Sequence, residues 1–394
     1  MSEKLSPTVL IALMACAGFA AALALMPLAG PPDGDFALFL NPWMNIIRER
    51  GVASISGEYS AYTPPYLYLL NAASLIAPIF GPVVAVKLVN IPFFVATALG
   101  IGALVAEVTG DQDKGKVATA VTFVAPTLII NAFAIGQADA IFTSFLIGFI
   151  LFAIRGKPTV ASIMFGLALS FKLQAMFLSP LLLFLLLSKQ MRFRDSLLIP
   201  LAYAAMMTPA ALAGRPWSEL FMIYAGQAGM EHELSLNAPN PWWFLRWADY
   251  RVGLIAGLVA GGLAGAIIVA FSLRTKGQIL LIATVCAVAL PYVLPKMTSR
   301  YFFVADLLVL ALAFTRPGVW PAAILIQAGS LIACLSYFSG RGTAGPAFIP
   351  MTLGIAVLLY VFAKESATGT HRDFTHSARD ELGVPEQRFA DREM

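Results

Sequence analysis

Residues 64–80 read PPYLYLLNAASLIAPIF, and whether they cross a membrane decides how the rest of the chain is arranged. The segment is apolar enough to span and short enough to lie along a surface, so its own composition leaves both open. Its surroundings settle the class first. Of 394 residues, 59% are hydrophobic and 12% charged, about half the charged fraction of an average soluble domain. The apolar residues come in runs of about 20, the length that crosses roughly 30 Å of hydrocarbon. A soluble globule is excluded, and no barrel-type alternation of polar and apolar residues is visible. The chain reads as an all-α polytopic membrane protein.

Further spans are expected at about 7–29, 83–106, 117–134, 139–154, 159–172, 175–188, 196–213, 252–272, 278–294, 302–315, 318–338 and 346–363. Some are short, as in tilted or partial helices around a cavity. Charge then decides the fate of 64–80. If it stays out of the bilayer, Lys114 and Lys116, Arg155 and Lys157, Lys189, Arg192 and Arg194, and Arg274 and Lys276 all share the side of Lys4. That is the cytoplasmic enrichment of basic residues expected of membrane proteins. If it crosses, those loops move outside and Asp139 falls opposite Asp35. The expectation is therefore about 12 spans with both termini cytoplasmic, and 7–29 retained as a helix for want of a convincing small-residue cleavage site.

Working outward, residues 30–82 become a first external loop carrying two surface helices, 36–50 and 64–80. Residues 214–251 form a second large external loop. Residues 1–363 are the membrane domain, and 364–394 a polar, mixed-charge cytoplasmic tail expected to be disordered. Trp242, Trp243 and Trp247 suit a membrane interface. Gly253, Gly257, Gly261 and Gly265 repeat every fourth residue, a ridge that admits a close helix neighbour. Cys16, Cys286 and Cys334 are too scattered for a disulfide or metal framework. His232, His371 and His376 are equally dispersed, so no metal site is expected. The net charge of +4 implies no nucleic-acid partner.

This topology brings the unusual polar residues to one side. Asp33 and Asp35 follow the first apolar run; the bland reading is a solvated turn with Asp35 capping the next helix. The functional one makes Asp35 a general base beside the membrane, with Trp43, Tyr62 and Tyr66 as aromatic walls for a sugar ring. Gln137 and Asp139 open a span, where Asp139 either complements the helix dipole or joins Gln137 in clamping sugar hydroxyls. Lys172, close to Gln174, and Lys87 either snorkel to the interface or neutralise a lipid phosphate. Lys296 and Arg300, near Asp306, either pair with that acid across two helices or bind phosphate.

The segments D35-FALFLNPW43, Y62-TPPYLYLL70, G136-QADA140, F171-KLQA175, L236-NAPN240 and L294-PKMTSRYFF303 together resemble the GT-C superfamily of polyprenyl-phosphate-sugar-dependent glycosyltransferases. The likeness is to bacterial relatives of the second mannosyltransferase of GPI-anchor synthesis. It extends over most of the chain in the family's order, although each motif alone is weak. It implies a GT-C-type fold with Asp35 as catalytic base, and Gln137, Asp139, Gln174 and Asn240 near substrate. It implies Lys172 as the family's basic residue; Lys87, Lys296 and Arg300 remain phosphate candidates on their own charge and position. Thr298 and Ser299 stand where relatives carry a His-Glu pair, so any donor or acceptor contact made by that pair is lost or replaced here.

The activity expected from this resemblance is inverting transfer of one hexose from a polyprenyl-phosphate donor to a lipid-linked or glycan acceptor. It would take place on the external face of a bacterial inner membrane, without cofactor or metal. A flippase for a polyisoprenoid-linked lipid is the alternative. It would share the many spans and external cations, but transporters often carry internal repeats, and none is visible.

Overall fold

The computed structural model describes residues 6–32, 34–275, 278–339, 342 and 344–368. Lys4, Asp33, Lys276 and the tail from 369 onward lie outside the described residues. The apolar runs fold as helices, and prolines and glycines mark most of their ends. α1 (Pro7–Leu25) begins with the Ser6 hydroxyl accepting from the Val9 amide. A π turn at Phe36–Leu40 runs without a break into α2 (Asn41–Arg50), so the helix expected over 36–50 is formed. α3 (Pro64–Phe80) follows. Gly81, at φ 78°, turns the chain sharply into α4 (Pro82–Leu88) and then α5 (Ile91–Thr109).

The deciding segment is therefore one helix of 17 residues, about 26 Å long at 1.5 Å per residue and shorter than a bilayer core. Its first half buries Pro64, Pro65, Tyr66, Leu67, Leu70 and Ala73. Its far end leaves Leu75 and Ile79 more than three-quarters exposed. The buried half is the part that reaches the site described below.

α6 (Gln112–Phe123) and α7 (Pro126–Ile129) are followed by a second π turn, Ile130–Ile135. A 49° bend separates α6 from the α7 segment, because Pro126 forces Ala125 out of helical geometry. Next come α8 (Asp139–Ile154), α9 (Pro158–Phe171), α10 (Ser179–Leu187), α11 (Phe193–Ser196), α12 (Leu198–Leu212) and α13 (Trp217–Met230). The chain closes with α14 (Tyr250–Thr275), α15 (Ile279–Val293), α16 (Phe303–Thr315), α17 (Trp320–Ser339) and α18 (Ala344–Thr368). Among the described residues, sheet is confined to a two-residue parallel pair. β1 (Ser235–Leu236) matches β2 (Met297–Thr298) with Ser235 opposite Met297, tying the second loop to the 294–303 stretch.

The protein is thus an all-α polytopic membrane protein. Six helical stretches among the described residues are long and apolar enough to cross a bilayer, or seven if the bent 112–135 pair is one span. Other apolar helices, including α3, α8, α9 and α15, run 10–17 residues. Polar site residues interrupt them: Asp139 opens α8, and Lys172 ends α9 and starts a 3-10 turn at Leu173–Leu178.

The glycine ridge is closely packed, but at Gly253, Gly257 and Gly261 its neighbours are loop residues and a helix end rather than the face of another helix. A side chain at Gly253 would strike Leu234, at Gly257 Pro295 and Trp242, and at Gly261 Leu294, all within 2.8 Å. These contacts hold α14 against the second loop and the 294–303 stretch. The tryptophans divide: Trp247 is exposed, while Trp242 is buried with its indole N–H donating to the Val293 carbonyl at 2.7 Å. The three cysteines are free thiols.

Candidate active site

Six separate parts of the chain meet around a cavity of about 350 Å³, within the range of small-ligand sites. Asp35, Phe39, Leu40 and Trp43 line it from the first π turn and α2, and Tyr62 and Tyr66 from the start of α3. Gly136 and Gln137 come from the end of the second π turn, and Lys172 and Gln174 from the break after α9. Gln227, Met230, Glu231 and Leu236 descend from the second loop, and Thr298, Arg300 and Tyr301 complete the wall.

The π turns are the local cause of this convergence, since an extra residue per turn loosens the helix and redirects side chains. Asp35 enters the first in helical geometry, and its carboxylate makes no capping bond. Oδ2 instead accepts from Gln137 Nε2 at 2.7 Å and from Arg300 Nη1. The Asp35 main-chain N–H donates to the Tyr337 hydroxyl at 3.1 Å. A side chain at Gly34 would come within 2.7 Å of that hydroxyl, so glycine there keeps the tyrosine in place. At the second π turn, Gly136 holds φ 80°, a left-handed geometry that glycine adopts freely. The Asn131 carbonyl accepts from both Gly136 N (3.1 Å) and Gln137 N (3.0 Å).

Behind the cavity lies a second ion pair. Lys172 Nζ donates to Asp139 Oδ1, and the two side chains are 7% and 2% exposed. Asp139 Oδ2 accepts from Asn131 Nδ2 at 2.8 Å. The ammonium lies 5.5 Å from the Tyr62 ring centre and 5.9 Å from that of Phe142, where ring quadrupoles favour a cation. Trp43, Tyr62 and Tyr66 form a continuous aromatic wall, with centroids 5.6 Å and 4.8 Å apart. The Tyr62 hydroxyl faces Gln137 Oε1 at 3.4 Å.

Of the candidates named from sequence, Asp35, Trp43, Tyr62, Tyr66, Gln137, Lys172, Gln174 and Arg300 share this lining. Four do not. Asp139 is buried behind Lys172 with both oxygens engaged, so it reaches the cavity only through the lysine and clamps no sugar hydroxyl. Lys87 is 1% exposed and donates to the carbonyls of Leu28 (2.5 Å) and Ala134 (2.8 Å). It splints the end of the first apolar run to the second π turn, and its stem packs over Gly136. Lys296, at φ 62°, donates to the Ala228 carbonyl (2.6 Å) and the Tyr250 hydroxyl (3.1 Å). It clips the second loop down rather than facing the cavity. Asn240 is fully buried and donates to Pro291 O (3.1 Å) and Leu294 O (3.2 Å). The proposed Asp306 ion pairs are absent from its contacts as well. That carboxylate accepts from Ser330 Oγ at 2.7 Å, while Arg300 turns to Asp35.

Sequence reasoning missed Tyr337, Gln227, Glu231 and Tyr301, and named Thr298 only as a departure from the family pattern. Thr298 and Tyr301 sit in a stretch already singled out, so their neighbours were the available signal. Tyr337, in an apolar helix, and Glu231, in a polar loop, gave none. Two cavity groups carry unused hydrogen-bonding capacity: Thr298 Oγ1 and Arg300 Nε are buried without partners. The lining therefore offers the Asp35 carboxylate held by two donors, a second carboxylate on Glu231, a cation with a spare N–H, a second cation held from behind, and a flat aromatic face. That set can take a proton from a hydroxyl, hold a sugar ring and balance charge on a phosphate. No protein-family model matches the chain, and no curated protein matches it.

Proposed function

We propose that the protein is a GT-C-type membrane glycosyltransferase that moves one mannose-like hexose from a polyprenyl-phosphate donor to a lipid-linked or glycan acceptor, with inversion. The observation that carries this reading is the placement of Asp35, which Gln137 and Arg300 hold beside the Trp43–Tyr62–Tyr66 wall. With Oδ2 committed to those donors, Oδ1 takes the acceptor's hydroxyl proton. The acceptor oxygen forms its bond to the anomeric carbon as the bond from that carbon to the phosphate oxygen breaks. The leaving phosphate carries away the electron pair and one more negative charge. Attack from the face opposite the phosphate in a single displacement inverts the anomeric centre. Arg300 and Lys172 balance the growing charge.

In this reading the shorter helices cross as tilted pieces, giving about 12 spans with both termini cytoplasmic. The cavity opens on the external face of a bacterial inner membrane. The test is transfer of labelled sugar from a synthetic polyprenyl-phosphate donor by the protein in liposomes. Asp35→Asn is expected to lose at least about 10²-fold in turnover, the usual worth of a general base. Intact turnover in a folded Asp35→Asn protein would refute the assignment. Lipid scrambling without transfer would favour the flippase.

A further inference from the structure

We propose that Asn131, which does not line the cavity, is a positioning residue that holds Lys172 at the distance its ligand phosphate requires, acting through Asp139. The inference rests on the functional reading above for the ligand's identity, but not for the geometry.

Asn131 lies in the second π turn and is 2% exposed. Its Nδ2 donates to Asp139 Oδ2 at 2.8 Å. The amide's orientation is fixed by chemistry, because a carboxylate only accepts. The consequence is unfavourable elsewhere: Asn131 Oδ1 is buried without a partner. An apolar side chain would avoid that loss, so what this position uses is the donor. The Asp139 carboxylate is thereby divided, Oδ2 to Asn131 and Oδ1 to Lys172. Fixing one oxygen fixes the rotation of the carboxylate, and with it the point where the lysine ammonium rests over the Tyr62 ring. The same residue's carbonyl holds the Gln137 amide, so one residue anchors the segments behind two lining groups.

Asn131 also limits how strongly Asp139 attracts the lysine. A carboxylate that receives a second hydrogen bond has its charge partly satisfied and pulls less on its ion-pair partner. The other groups acting on this centre are Arg300, the phenols Tyr62, Tyr66 and Tyr301, and Cys334. None replaces the amide donor.

Two substitutions in the full-length protein in liposomes test this. Asn131→Leu removes the donor, so the Asp139 carboxylate is free to rotate and holds the Lys172 ammonium more strongly and off its place over the Tyr62 ring. The donor kcat/KM is expected to fall about tenfold, the worth of one hydrogen bond to a charged group, through a raised donor KM and a lowered kcat, with the acceptor KM nearly unchanged. Asn131→Asp supplies an O–H donor when protonated and a second negative charge when ionised. Its donor KM is expected to match wild type near pH 5.5 and to climb as pH rises towards 8, relative to wild type at each pH. A merely structural role would instead lower the active fraction without pH dependence or a KM shift.

A second readout needs no transfer reaction. Reductive methylation of Lys172, followed by mass spectrometry, is expected to slow several-fold in Asn131→Leu and, at the higher pH only, in Asn131→Asp. Unchanged Lys172 labelling in both variants would overturn the inference. Altered labelling in a protein whose wild type transfers no sugar would keep the Asn131 role and reject the glycosyltransferase reading.

Discussion

Removing the charge from Asp139 leaves a lysine inside the protein with no counter-ion, and the size of that penalty can be bounded from the structure. In the Asp139–Lys172 pair the side chains are 2% and 7% exposed, against 20% and 23% for Asp35–Arg300. Solvent screening therefore protects the first pair far less. Asp139→Asn keeps the shape and confines the loss to charge. Asn131 can turn its amide so that the unpartnered Oδ1 accepts from the new side chain. Breaking a buried pair by removing one partner costs about 3–5 kcal/mol. An independent ceiling comes from the lysine itself. Rather than stay charged and unpaired it can lose its proton, which at pH 7 costs about 4.6 kcal/mol for a group of ordinary pKa 10.4. The expected loss is thus about 3–4.5 kcal/mol. Where the neutral lysine dominates, the deficit shrinks by about 1.4 kcal/mol per pH unit as pH rises towards 10. Reversible unfolding in mixed micelles measures it. Asp139→Asn/Lys172→Met should recover most of the loss, because no charge is then stranded. A single variant within about 0.5 kcal/mol of wild type, or a double variant no more stable than the single, would refute the reasoning.

Tyr337→Phe removes the hydroxyl that receives the Asp35 amide and leaves a half-buried N–H without that partner, at about 1 kcal/mol. We expect reduced turnover with unchanged donor KM, since the base is displaced and the cations are not; a raised donor KM with normal turnover would contradict this. At the second loop, the Glu219 carboxyl is held above its ordinary value, first by a hydrogen bond with Glu58, then by desolvation and repulsion from Glu58, with Arg215 opposing. A raised carboxyl favours the folded contact at low pH and loses it as pH rises through the raised value. Hydrogen exchange in Trp217–Met230, corrected for intrinsic rates, should therefore be faster at pH 7.5 than at pH 5, and Glu58→Gln should flatten the difference. Equal protection at both pH values in wild type would remove the pair from consideration.

Class was legible from composition because hydration alone decides it: runs of apolar residues this long have no place in water. The helices of the first loop were legible too, since Pro64 and the 36–50 pattern act locally. Half of the site was visible for a related reason. Acids and amides at helix ends within apolar sequence are costly unless used, and Asp35, Gln137, Lys172 and Arg300 stood out on that ground.

Partner choice among those charges was not legible. From sequence, Arg300 had Asp306 six residues away, on the adjoining helix, and Lys87 and Lys296 looked as free as Lys172. Hydrogen-bond and ion-pair partners are set by which segments pack together, and that depends on the whole chain. The fold gives Arg300 to Asp35, 265 residues away. It assigns Lys87 and Lys296 to main-chain carbonyls, and places Asn131 and Tyr337 behind the groups they hold. The sequence by itself determined that the chain is a helical membrane protein with a polar face at its helix ends. Only tertiary structure decided which of those polar groups face one another, because a charge buried in an apolar interior takes whatever partner packing brings within reach.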